Sequence, residues 1–193
     1  MRKVVVTEYV TLDGVMEDPG GGEKSEHGGW SFQFWSDEAA KFKFDELFAS
    51  DALLLGRVTY EGFARAWPAM KDDMGFADRM NSIPKYVVSS TLKELQWNNS
   101  HLIEGDIPEA VTKLKEEDGL DILVAGSARL VHTLMEHHLV DEYRLMVHPV
   151  LVGGGTRLFP EGSSAGNTIL QLVGSKAFSS GIVVLSYQPV SQA

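Results

Sequence analysis

The chain has 193 residues, 44% hydrophobic and 23% charged, enough for one α/β domain with a full core and unlike a disordered or fibrous protein. Its formal net charge of −10 excludes a general affinity for nucleic acid or anionic membrane, since both need a basic face. With no cysteine, disulfides, thiolate metal sites and cysteine nucleophiles are excluded, and a reducing cytoplasm is the expected setting.

Residues 3–12 gather Val4, Val5, Val6, Thr7, Val10 and Thr11 and read as a strand. The run Val4-Val5-Val6 behind Arg2-Lys3 is too short for a signal peptide, and nothing later approaches a membrane span. The strand leaves at Leu12-Asp13-Gly14, a turn signal with a carboxylate at the exit. Residues 17–30, with Pro19-Gly20-Gly21-Gly22 and Gly28-Gly29, read as a mobile loop, and long loops in compact domains serve as lids or binding loops. Ser36 is placed to cap a helix over 37–49, with Ala40, Phe44, Leu47 and Phe48 as its apolar stripe.

Ala52 to Leu55 is a bare apolar run, as expected for a strand buried on both faces. It turns at Gly56 and passes through Arg57 and Thr59 into a short helix over Tyr60 to Trp67. A buried strand feeding a glycine turn and a helix start is an anion site in outline, because unpaired amides and the helix dipole point outward there. Arg57 adds a planar fork and Thr59 a hydroxyl; the same pattern also suits an ordinary turn with a solvated arginine.

A second short helix is expected over 72–82, broken by Pro84, and Lys85 to Thr91 reads as a strand ending in Ser89-Ser90-Thr91. His101 to Glu104 is a short extended piece; Asp106, Pro108 and Glu109 then mark the start of a helix carrying Val111 and Leu114 and stopping near Gly119. Asp121 to Gly126 is a third buried strand, followed by Ser127-Ala128-Arg129 and a helix through about His138. This alternation predicts a mainly parallel sheet wrapped by helices. From residue 141 strands dominate: Tyr143–Val152, Ile169–Phe178 and Ile182–Gln188, the last two joined by the hairpin signal Ser179-Ser180-Gly181, so an antiparallel edge closes the sheet. With no repeat or linker, 1–193 reads as a single domain.

Three strand ends share one design: Gly56-Arg57-Val58-Thr59, Ser89-Ser90-Thr91 and Gly126-Ser127-Ala128-Arg129. In a parallel sheet these ends fall on one edge, where ligands of such sheets bind. Arginines, hydroxyls and helix starts together suit a ligand with several phosphates, and three separate sites suit a dinucleotide better than a mononucleotide. Neither a Walker motif nor G-x-G-x-x-G is present. His137-His138 beside Glu136 would suggest metal, but consecutive histidines point to different sides of a helix and suit its C-terminus, so no metal is expected. Trp30, Phe32, Phe34 and Trp35 alternate with polar residues; they suit core packing or stacking on a planar substrate, with Trp35 the candidate contact. Gly153-Gly154-Gly155 suits a conformational role better than a phosphate loop.

The order of these motifs resembles the dihydrofolate reductase fold, and Leu151-Val152-Gly153-Gly154-Gly155-Thr156-Arg157-Leu158-Phe159-Pro160 is similar to the reductase domain of the riboflavin-pathway bifunctional deaminase-reductase and its stand-alone relatives. The resemblance runs from Val4 to about Tyr187; no deaminase zinc signature is present, and none is possible without cysteine. It implies a three-layer α/β/α fold and NADPH as cofactor. By that resemblance Gly56, Arg57 and Thr59 hold phosphates, with Ser89, Ser90 and Thr91 near the adenosine ribose 2′-phosphate. Gly126, Ser127, Ala128, Arg129 and Leu130 form the turn under the pyrophosphate, with a cis peptide between Gly126 and Ser127, and Tyr9, Val10 and Thr11 edge the nicotinamide. Family members often have glycine where this chain has Ser127 and Ala128, a departure that crowds a pyrophosphate. Glu38, with Phe42 and Lys43 after it and Asp37 and Asp45 nearby, is the nearest match to the proton-donating carboxylate. Asp13 matches an Asp-Gly of the riboflavin branch, with a catalytic or substrate-contacting role, and Arg157 matches a substrate-phosphate contact; a plain turn-forming role for Asp13 stands beside these.

The function these features imply is an NADPH-dependent reductase of a pyrimidine- or pterin-like heterocycle, of the 5-amino-6-(5-phosphoribosylamino)uracil reductase type. The resemblance also implies a homodimer through the C-terminal strands. A dihydrofolate-type reductase and a non-catalytic nucleotide- or ligand-binding dimer are the alternatives. A phosphoribosyl substrate predicts a basic site near Arg157, and a dihydrofolate type predicts a closed apolar pocket floored by Glu38.

Overall fold

The apolar runs of the sequence become neighbouring strands. The structure, a computed structural model, describes residues 1–160 and 168–190. In chain order it contains β1 (Val4–Thr11), α1 (Asp37–Phe48), β2 (Ser50–Gly56), α2 (Arg57–Ala66), α3 (Phe76–Ser82), β3 (Lys85–Val88), β4 (Ser100–Ile103), α4 (Ile107–Glu116), β5 (Asp121–Ala125), α5 (Ala128–Glu136), β6 (Glu142–His148), β7 (Leu170–Ala177) and β8 (Val183–Pro189). The strands form one eight-stranded sheet in the order β4-β3-β2-β5-β1-β6-β8-β7. From β4 through β6 every pairing is parallel. The antiparallel part is confined to β6–β8 and β8–β7, because α5 crosses over and returns β6 parallel to β1.

Alternation along β2 decides the layers. Leu53 and Leu55 pack with Leu47 of α1, Tyr60 of α2 and Met80 of α3, whereas Ala52 and Leu54 pack with Val111 and Leu114 of α4 and Leu130, Val131 and Leu134 of α5. All four β2 side chains are at most 2% exposed, so the continuous apolar run is a strand covered on both faces.

The helix ends follow local chemistry. Ser36 Oγ accepts the Ala39 amide at 3.2 Å, and Asp106 Oδ1 accepts the Glu109 amide at 2.8 Å, as the two expected caps require. α3 starts later than the sequence suggests because Asp72 accepts the Phe76 and Ala77 amides at 3.0 and 2.6 Å and holds 72–75 as a turn. β3 stops at Val88, short of Thr91, because Ser89 Oγ accepts the Thr91 and Leu92 amides at 3.1 and 3.0 Å. β6 stops at His148, where Pro149 can donate nothing to a ladder.

One buried cation supports the β3 end of the sheet. Lys85 has no exposed surface; its Nζ donates to the Asn81 and Asn98 carbonyls at 2.6 and 2.9 Å and lies 4.2 Å from the centroid of the Trp97 ring. Burial pulls the Lys85 ammonium down to about 8. The unfolded chain therefore binds the extra proton between pH 8 and about 10.5, and native stability rises with pH across that window. Thermal melts should show the wild type gaining on Lys85→Met from pH 8 to 10.5, by on the order of 2–3 kcal/mol in total. Parallel melting curves would show that Lys85 keeps an ordinary titration.

Candidate active site

The parallel strands point their carboxyl ends at one edge, and two strand-to-helix turns meet there. β2 passes through Gly56 into α2, and β5 passes through Gly126 and Ser127 into α5. A Cβ at Gly126 would lie 2.7 Å from Thr59 Oγ1, so the close approach requires glycine there, and one at Gly56 would lie 3.1 Å from Ser127 Cβ and Oγ, a contact that would need Ser127 to shift by a few tenths of an ångström. No peptide bond among the described residues is cis, which corrects the expectation for Gly126-Ser127. The turn is made instead by left-handed φ angles of +61° at Gly126 and +67° at Ser127. The Ser127 hydroxyl accepts the Gly56 amide at 2.8 Å and donates to Thr59 Oγ1 at 3.0 Å. Thus Gly56, Thr59, Gly126 and Ser127, singled out from the sequence as separate phosphate contacts, lie together and are bonded to one another. Arg57 and Arg129 are exposed beside them, Arg57 pairing with Glu61 at 2.9 Å; Ala128 is half-buried and Leu130 is core. At the neighbouring end of β3, Ser89 is occupied by its own turn, while Ser90 and Thr91 are exposed.

The second feature is a gap beside β1. Pairing with β5 ends at Thr7↔Ala125, whereas pairing with β6 continues to Thr11↔His148. From Glu8 onward β1 therefore has a strand on one side only. The Lys3 carbonyl and the Thr11 amide bond toward the β5 side, so by alternation the main chain of Tyr9 faces the gap. Glu8 borders it: only 4% exposed, its Oε2 accepts the Gly126 amide at 3.1 Å and its Oε1 has no partner. Burial holds its carboxyl well above the usual range, against the pull of the Gly126 bond. On the opposite face Thr7 Oγ1 donates to Glu46 Oε2 at 2.9 Å, and Lys43 lies 2.5 Å from that oxygen. Burial works against the Lys43 charge, but Glu46 and Tyr9 outweigh it and raise the ammonium.

The remaining predicted residues divide. Asp13 Oδ1 accepts from Thr11 Oγ1 at 2.5 Å and Oδ2 from the Gly153 amide at 2.8 Å; these bonds, with Val152, bring its carboxyl down to about 2. Asp13 is an ionised clamp on the 152–155 loop, which is also held by Glu17 Oε2 accepting the Thr156 amide and hydroxyl at 2.8 Å each. Arg157 Nη1 donates to the Asp13 carbonyl. Glu38 Oε2 accepts the Ser179 hydroxyl and amide at 2.6 and 2.7 Å, which lower its carboxyl, so it ties α1 to the β7–β8 turn and floors no apolar pocket. Loop 17–30 is built around Asp18, whose carboxylate accepts the Glu23 and Ser25 amides at 3.0 and 3.1 Å.

The aromatics also divide. Trp30 and Phe34 pack on His148 with ring centroids 5.1 and 6.0 Å away, while Phe32 and Trp35 are 67% and 51% exposed. His148 is buried, its Nδ1 lies 2.8 Å from the Met146 carbonyl, and burial lowers its imidazole. A cavity of about 180 Å³ opens past the end of β1, lined by Val15, Glu17, Glu26, His27 and the 152–155 loop. Sequence reasoning passed over Glu8, Glu17 and His148. Only Glu8 left a signal, as a lone charge in Val-Val-Val-Thr-Glu-Tyr-Val-Thr.

This sheet order, with its binding edge and antiparallel finish, is a dihydrofolate-reductase-like fold. A family model for the RibD C-terminal domain matches residues 2–184, and the chain belongs to that family. The uncharacterized protein YyaP of Bacillus subtilis (strain 168) is 33% identical over 189 residues, covering 96% of this chain and 94% of its own. A Shewanella sp. PV-4 protein provisionally assigned to riboflavin biosynthesis has a similar structure, with a TM-score of 0.76 at 19% identity over 98% of this chain and 99% of that one. Dihydrofolate reductase from Enterococcus faecalis, complexed with NADP(H) and RAB-propyl, gives a TM-score of 0.61 at 13% identity, covering 98% and 97%.

Glu8 yields a test by linkage. The native state keeps its proton where the unfolded chain, near 4.5, has released it, so stability falls as pH rises above that value. Glu8→Gln, neutral throughout, should melt progressively higher than the wild type between pH 5 and 8, by about 2–4 °C per kcal/mol recovered. A constant difference across that range would mean that Glu8 is ionised in the fold.

Proposed function

We propose that the protein is an NADPH-dependent reductase of a pyrimidine- or pterin-like heterocycle. The observation that carries this reading is the meeting of the α2 and α5 starts, at Gly56 and Gly126, beside the one-sided stretch of β1. The first-turn amides of both helices lack intrahelical acceptors, and Arg57 and Arg129 are exposed next to them, so the residues present fit a diphosphate. In this reading those amides and arginines hold the phosphates, and exposed Ser90 and Thr91 stand by the ribose phosphate. The main chain of Tyr9 orients the ring at the gap. NADPH supplies the hydride when bound; the chain positions it and excludes water. Family membership and the NADP(H) carried by the Enterococcus faecalis enzyme support the cofactor.

The cavity bears on the substrate. Its lining carries the carboxylates of Glu17 and Glu26 beside His27, and Arg157 is engaged by the Asp13 carbonyl. An acidic lining disfavours a phosphate dianion and accepts ring amino groups, so the reading favours an unphosphorylated heterocycle over a phosphoribosyl one. Glu38, held ionised by Ser179, is assigned a positioning role rather than proton donation. For assembly we propose a homodimer through β7, the edge strand at the antiparallel end of the sheet, where Leu172 and Val173 are 50% and 47% exposed.

Calorimetry tests the cofactor. NADPH should bind with micromolar affinity (about −8 kcal/mol), more tightly than NADH, and Arg57→Ala should weaken it about tenfold. Binding of neither nucleotide would end the reductase reading. With NADPH bound, turnover should appear with unphosphorylated dihydropterins or aminopyrimidines before phosphoribosyl ones.

A further inference from the structure

Ser127 stands in a backbone conformation that favours glycine, with φ +67°, yet its side chain is fully engaged. For a residue with a Cβ this conformation is strained and persists where the surroundings hold it. Here they hold it from two sides. Ser127 Oγ takes the Gly56 amide at 2.8 Å and gives its proton to Thr59 Oγ1 at 3.0 Å, joining the α2 turn to the α5 turn. Glu8 Oε2 takes the adjacent Gly126 amide at 3.1 Å from within the sheet, and Glu8 Oε1, buried in a residue only 4% exposed, is without a partner beside the gap.

Two helix starts that face one site present like partial charges to each other; the pairing of β2 with β5 brings them side by side, and the Ser127 hydroxyl bonds across them. We infer that the Ser127 hydroxyl is a positioning group, a clasp that holds the α2 and α5 starts at the separation that accepts a diphosphate. The inference rests on the nucleotide reading and changes one assignment within it: Ser127 acts through Gly56 and Thr59 and does not bond the phosphates itself. Its hydroxyl takes the Gly56 amide out of the anion site, which leaves the first-turn amides of α5 and those of α2 after Gly56 as donors. The serine that appeared to crowd the cofactor is thereby a part of its cradle.

The test compares Ser127→Ala, which keeps the Cβ, with Ser127→Gly, which suits the left-handed backbone better. Amide exchange by NMR on the ligand-free protein reads the clasp: the Gly56 amide should exchange at least tenfold faster in both variants. Calorimetry reads the cradle: the NADPH Kd should rise about tenfold in both. Unchanged Gly56 protection overturns the clasp, and a Ser127→Gly protein that binds NADPH as well as or better than the wild type overturns its role in binding. If the wild type binds no nucleotide, the reductase reading falls and the cradle role with it, while Gly56 exchange still decides whether the clasp exists.

Discussion

The structure depends on the close approach of two turns. β5 ends at Ala125, its last residue paired with β1, and the chain turns at Gly126 toward Gly56 at the end of β2. Gly126 has no room for a side chain and Gly56 has little, and both lead into helices. Everything the edge offers follows from that contact: first-turn amides brought together, arginines exposed at their rim, and one side of β1 left without a strand. If β5 ran further, it would pair with Glu8 to Thr11 and close the gap.

The polar residues inside the sheet are arranged around this opening. Glu8 faces α5 and grips Gly126; Thr7, the next residue back, faces α1 and meets Glu46 and Lys43. Glu46 is also approached by Arg144 at 3.5 Å, and Arg144 bonds Glu142 at 2.7 Å, so buried charges of α1 and β6 are paired beside the Thr7 hydroxyl of β1. Glu8 has no cation bonded to it among the described residues, and burial raises its carboxyl well above the usual range. The strand thus has an ionic network beside one face and a buried acid, raised by burial, on the other.

Several residues that invite a chemical role hold loops instead. Asp13 has its carboxylate bonded to Thr11, Val152 and Gly153, Arg157 reaches back to the Asp13 carbonyl, and Glu38 is bound by Ser179. These bonds depress the two carboxyls and keep them ionised, as suits an anchor and not an acid catalyst. The acid that burial raises is Glu8.

The alternation of apolar runs and amphipathic segments determined the parallel sheet, the caps at Ser36 and Asp106 determined two helix starts, and glycine determined the turns at Gly56 and Gly126. Those signals are legible because each acts within a few residues of chain. The motifs at 56–59 and 126–129 likewise marked the edge correctly, though not that their side chains bond one another. What only the tertiary structure decided are the pairings across long separations: Glu8 with Gly126, 118 residues apart, Glu38 with Ser179, 141 apart, and Ser127 with Gly56, 71 apart. A carboxylate or hydroxyl reads the same in sequence whether it meets a ligand, an amide or water. Its protonation and its role are set by burial and by partners that folding alone brings near.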